Sequence, residues 1–122
     1  MDHAEFNNNT TGIVVTDTDA TSLLRLTLAD SIVSNNSGDG VYIGQVPQAN
    51  AIIINTNASF NAFDGFHLDG GYGRLTRSAA YGNAIGVEIT RGSTVESYGD
   101  NEFVGNSGNV VGGTLAPPTG AR

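Results

Sequence analysis

An all-β solenoid is the fold class this sequence predicts, and three observations point to it. First, a glycine followed by an apolar-x-apolar triplet recurs as Gly12-Ile-Val-Val, Gly40-Val-Tyr-Ile, Gly65-Phe-His-Leu and Gly86-Val-Glu-Ile, closing on a weaker Gly108-Asn-Val-Val. The separations are 28, 25, 21 and 22 residues. Second, each run has period 2, which marks a half-buried strand and not a helix. Third, the 122 residues hold 17 Gly and, by count, 13 Asn against five Arg and no Lys, so turn formers abound while helix builders are scarce.

The elements follow in order along each repeat. Ahead of each glycine stands an asparagine (Asn7, Asn35, Asn61, Asn83, Asn106), and a short strand ends there after Ala4, Ile32, Ala58, Ala80 or Phe103. Another short strand lies upstream as "LRLTL" at 24–28, "AIIIN" at 51–55, "GRLTR" at 73–77 and "STVES" at 93–97. A unit of about 22 residues with three short strands cannot bury its apolar side chains alone, so it must stack on copies of itself. About five coils are expected. Ile13, Val41, Phe66 and Val87 then form one inward column, and Val15, Ile43, Leu68, Ile89 and Val111 the next. Val14, Tyr42, His67, Glu88 and Val110 face outward. Asparagine suits the bend because its amide bonds backbone groups and tolerates left-handed φ; glycine is read there as the source of backbone freedom.

On this Asn-turn-Gly-[Val/Ile/Phe]-x-[Ile/Leu/Val] core the chain resembles the right-handed parallel β-helix repeat proteins of the pectate-lyase-like superfamily over residues 4–112. The resemblance implies a right-handed parallel β-helix over 1–112, as a short member or a C-terminal fragment, with 113–122 as a tail or cap. A left-handed relative would repeat at about 18 residues per coil, shorter than any separation seen. The family's calcium-dependent lyases and its polygalacturonases have no residue-by-residue counterpart in this chain, and fold alone does not assign an activity.

Charge and composition narrow the partners. A net charge of −7 with a pI near 4.3 argues against nucleic acid or an anionic membrane, both bound through Lys and Arg clusters. Without cysteine there is no disulfide frame or thiolate metal site. The opening "MDHAEFNNN" lacks the basic and apolar regions of a signal peptide, so the chain reads as cytoplasmic unless it is a piece of a secreted protein, and the compartment stays open.

The candidate ligand-binding face is Tyr42, His67 and Glu88, with a carbohydrate as the ligand class an aromatic, an imidazole and a carboxylate would grip. The competing account is a polar outer sheet face with a favourable His–Glu pair. The leading expectation is a non-catalytic module, a scaffold or binding surface, without cofactor or metal. "DTD" at 17–19 lacks the glycine and distal glutamate of a calcium loop. The alternative is a polysaccharide lyase or hydrolase using His67, Glu88, Asp64 and Arg74. Asp39, directly before Gly40, is read as a turn former.

Solenoid ends expose core and sheet edge. In "GGTLAPPTGAR" Leu115 can cover the last coil, and Pro117 and Pro118 cannot extend a sheet. The first coil has only "MDHAE" before it, so a homodimer through Phe6, Ile13, Val15, Leu23 and Leu24 is expected.

Overall fold

The computed structural model describes residues 1–16, 23–44 and 49–118; the Asp17 and Asp19 pair lies outside the described residues. Three parallel sheets run along the molecule. The first contains β1 (Glu5–Asn7), β4 (Ile32–Ser34), β7 (Asn57–Ser59), β10 (Ala79–Tyr81) and β13 (Glu102–Val104). The second contains β2 (Ile13–Thr16), β5 (Val41–Gly44), β8 (Asp64–Asp69), β11 (Ile85–Thr90) and β14 (Gly108–Val111). The third contains β3 (Arg25–Ala29), β6 (Asn50–Ile54), β9 (Tyr72–Thr76) and β12 (Thr94–Ser97). Each strand pairs with its equivalent one coil on, which makes a parallel β-solenoid of about four turns. That is one fewer than expected. Five copies of the corner enclose only four intervals, and the third sheet has four strands.

The second sheet sets the site's register. Ile13, Val41, Phe66 and Val87 align and are buried, as are Ile43, Leu68 and Ile89 beside them. In the last coil the expected column slips by one residue: Val110 pairs with Val87 and packs on the core, while exposed Val111 pairs with Glu88. The shortened corner after Asn106 causes this, because Gly108 aligns with Ile85 and not with Gly86.

Glycine serves a different purpose from the one expected. Gly40 and Gly65 do not have left-handed φ; a Cβ on Gly40 would stand 2.8 Å from the Gly65 carbonyl oxygen, and one on Gly65 2.8 Å from that of Gly86. Close approach of the next coil excludes a side chain. The left-handed bend residues are instead Asn8, Asn35, Phe60, Gly82 and Gly105, with φ between 55° and 71°. Since Asn35 makes the bend, the buried amide of its coil is Asn36, which donates to Asn61 Oδ1 at 2.8 Å, followed by Asn61 to Asn83 at 3.0 Å and Asn83 to Asn106 at 3.1 Å.

At the ends, Ile13 is buried, Phe6, Val15 and Leu24 are half-buried against the core, and Leu23 is exposed. Residues 1–3 also lie along β3: Ala29 N donates to Met1 O at 2.8 Å and His3 N to Ala29 O at 3.1 Å. At the other end Leu115 packs on the core and Ala116 bridges to Glu96 of β12. Among the described residues no helix is long and apolar enough to cross a membrane.

Candidate functional site

Strand alternation turns Tyr42, His67 and Glu88 to the same outer face, and in-register pairing stacks them (Tyr42 beside His67, His67 beside Glu88). The His67 ring meets Tyr42 edge-on, with centroids 5.0 Å apart and planes at 88°. Two corner carboxylates join them. Asp39 and Asp64 precede the stacked glycines Gly40 and Gly65, and Asp64 N donates to Asp39 Oδ1 at 3.0 Å. His67 Nδ1 then stands 3.2 Å from Asp64 Oδ2, 3.5 Å from Asp39 Oδ2 and 3.8 Å from Glu88 Oε2. These groups, with Phe63, Ala84 and Ile85, line an open hollow of about 380 Å³.

Three carboxyls around one imidazole cannot all ionise freely. Burial by itself lowers the His67 pKa, but the hydrogen bonds to Asp39 and Asp64 and the charges of Glu88 and Asp64 outweigh it and push it up to about 10. Glu88 is raised to about 7, first by its hydrogen bond with Asp64 and then by burial. Burial pushes Asp64 up, yet its bonds to His67 and Glu88 hold it below the usual carboxylate range. At neutral pH the site is an imidazolium beside an ionised Asp64, with Glu88 half protonated.

This has a sign for stability. Glu88 keeps its proton to about pH 7 in the folded chain against 4.5 unfolded, and His67 to about 10 against 6.5. The folded state therefore binds more protons, so stability contributed by these two groups falls as pH rises through that window. The His67 contribution is complete below pH 6.5 and gone above about 10. Urea melts at about pH 5, 7 and 9 should give midpoints that fall in that order, and a midpoint rising with pH would contradict the assignment.

The other side of His67 is equally ordered. Nε2 lies 3.1 Å from Thr90 Oγ1, and Thr90 donates to Asp69 Oδ1 at 2.7 Å. Asp69 also accepts from Tyr42 OH at 2.8 Å and pairs with Arg91 Nε at 2.8 Å. Arg74 stands apart from this face. It pairs with buried Glu96 at 3.2 Å, lies over the Tyr72 ring and lines another groove with Ile52, Ile54 and Tyr98. The structure thus unites Tyr42, Asp64, His67 and Glu88, leaves Arg74 out, and adds Asp39, Asp69 and Thr90. Two aspartates at the same repeat position, 25 residues apart, were the available signal for Asp39. A second, exposed group of Asp2, His3 and Asp30 also brings its donor atoms together.

Residues 1–114 match the family model described as NosD, periplasmic copper-binding protein. The chain belongs to the NosD family. NosD proteins are right-handed β-helices within the pectate-lyase-like superfamily, so the match agrees with the repeat, the parallel sheets and the resemblance read from the sequence. No curated protein and no solved structure matches the chain.

Proposed function

We propose that the chain is a non-catalytic β-helix module that binds a divalent transition-metal ion through His67, Asp39 and Asp64, with copper, the metal named in the NosD family's description, as first candidate in its divalent state. One observation carries this reading. Donors held about 2.0–2.2 Å from a single ion stand roughly 3.0–3.5 Å from one another, and His67 Nδ1 is 3.2 and 3.5 Å from the two aspartate oxygens. All three donor atoms lie within 4.8 Å of one another. Imidazole with carboxylates suits Cu²⁺, Ni²⁺ and Zn²⁺, whereas Cu⁺ prefers sulfur, and the chain has no cysteine and a single methionine. This reading replaces the sequence-based expectation of no metal, which took Asp39 for a turn former only.

To ligate, His67 must give up the Nδ1 proton that the carboxylates retain. Cu²⁺ affinity should therefore rise about tenfold per pH unit from roughly pH 6 to 9. Calorimetric titration in buffers of different ionisation heat should show close to one proton released per ion. His67→Ala should weaken binding by at least about 100-fold, and Asp39→Asn by about tenfold. Unchanged affinity in His67→Ala would sink the reading.

A second reading, a carbohydrate-active enzyme, is favoured by Glu88 alone, whose carboxyl retains a proton near neutrality and stands beside ionised Asp64 as an acid beside a base. A polysaccharide panel assayed for reducing ends and unsaturated products separates the two. Turnover that disappears in Glu88→Gln supports the enzyme, and silence supports the module.

A further inference from the structure

The carboxylates explain why His67 Nδ1 carries a charge, but not why the ring presents that nitrogen to them. The opposite edge of the ring supplies the reason. Thr90 has one hydroxyl proton and two acceptors in reach, Asp69 Oδ1 at 2.7 Å and Leu68 O at 3.5 Å, so the proton goes to Asp69. Thr90 Oγ1 is then free to act only as acceptor toward His67, and the 3.1 Å contact is an Nε2–H donating to Thr90. Asp69 is fixed in turn. Its Oδ2 accepts from Tyr42 OH and its Oδ1 faces Arg91 Nε at 2.8 Å, while the Tyr42 ring closes one side of the imidazole.

We propose that Thr90 and Asp69, braced by Tyr42 and Arg91, are positioning residues that hold His67 with Nε2–H bound to Thr90 and Nδ1 turned toward Asp39 and Asp64. This rests on the metal-binding reading, which it deepens: a ring so held offers an incoming ion one nitrogen and one geometry. A histidine whose far nitrogen is tied to a hydroxyl–carboxylate pair cannot flip, and ligand orientation of this kind commonly changes metal affinity by about 10–100-fold. Three coils contribute, with Tyr42 from β5, His67 and Asp69 from β8, and Thr90 from β11. The assembly therefore exists only in the stacked solenoid.

The test compares the full-length wild type with Thr90→Val, Thr90→Ser and Asp69→Asn in two arms. Without metal, ring ¹⁵N–¹H spectra of wild type and Thr90→Ser should show a slowly exchanging His67 Nε2–H. Thr90→Val should lose that protection, and Asp69→Asn should weaken it. With Zn²⁺ as probe, wild type and Thr90→Ser should bind with Nδ1 metallated and Nε2 protonated, and Thr90→Val should bind about 10–100-fold more weakly. A Thr90→Val protein with unchanged Nε2–H exchange and unchanged Zn²⁺ affinity would overturn the proposal. If wild type takes up no Zn²⁺ or Cu²⁺, the metal-binding reading fails, and the metal-free arm still decides whether Thr90 and Asp69 hold the ring.

Discussion

Replacing Phe66 with alanine is expected to lower the unfolding free energy by about 3–5 kcal/mol, the range for truncating a buried aromatic. Phe66 has no exposed surface and is the largest fully buried side chain among the described residues. It stacks between Val41 and Val87, and the strands β7 and β10 that contact its own strand carry the small Ala58 and Ala80. Val14, two coils away and 54% exposed on the outer face of the same sheet, should tolerate alanine at a cost within about 0.5 kcal/mol. Urea denaturation of the two variants checks the pair. Equal losses would mean that the in–out register of the sheet is wrong.

Asn61→Ala should cost about 3 kcal/mol or more, although it removes little apolar surface. The Asn61 amide is 2% exposed and serves both neighbouring coils. Its Oδ1 accepts from Asn36 N at 3.2 Å and Asn36 Nδ2 at 2.8 Å, and its Nδ2 donates to Val33 O at 3.1 Å and Asn83 Oδ1 at 3.0 Å. Alanine strands the Asn36 N–H in the interior and takes one partner each from Val33 O and Asn83 Oδ1; an abandoned buried group costs about 1–3 kcal/mol, and the lost bonds add to it. Asn61→Asp is the sharper companion, because a carboxylate keeps the acceptor role but turns a negative oxygen toward Val33 O and Asn83 Oδ1. It should be destabilised most above the carboxyl pKa and partly recover in acid. A loss below about 1 kcal/mol for Asn61→Ala in urea melts would show that the amide column contributes little.

The fold was legible because the solenoid writes its geometry into the sequence as a period. Gly40-Val-Tyr-Ile and Gly65-Phe-His-Leu read the same way because Val41 pairs with Phe66 and Ile43 with Leu68. The same logic found Tyr42, His67 and Glu88 on one face. Corners were harder to read, since their rotation depends on which residue takes the left-handed φ. Two adjacent asparagines hid that Asn35 bends the chain and Asn36 enters the interior. A short loop hid the slip at Gly108. Asp39 looked like a turn former, and it is one by position, but the stacked bend also aims its carboxylate at His67. Arg74 is near Asp69 in sequence yet belongs to another sheet, and a period alone does not show how far the chain turns between sheets.

Electron paramagnetic resonance of the protein loaded with one equivalent of Cu²⁺ tests the central claim most directly. Wild type should give a tetragonal Cu²⁺ signal with nitrogen coupling from a single imidazole, retained in His3→Ala and lost in His67→Ala. A signal that vanishes in His3→Ala and survives in His67→Ala would place the ion at the exposed Asp2, His3 and Asp30 group and contradict the site described for His67, Asp39 and Asp64.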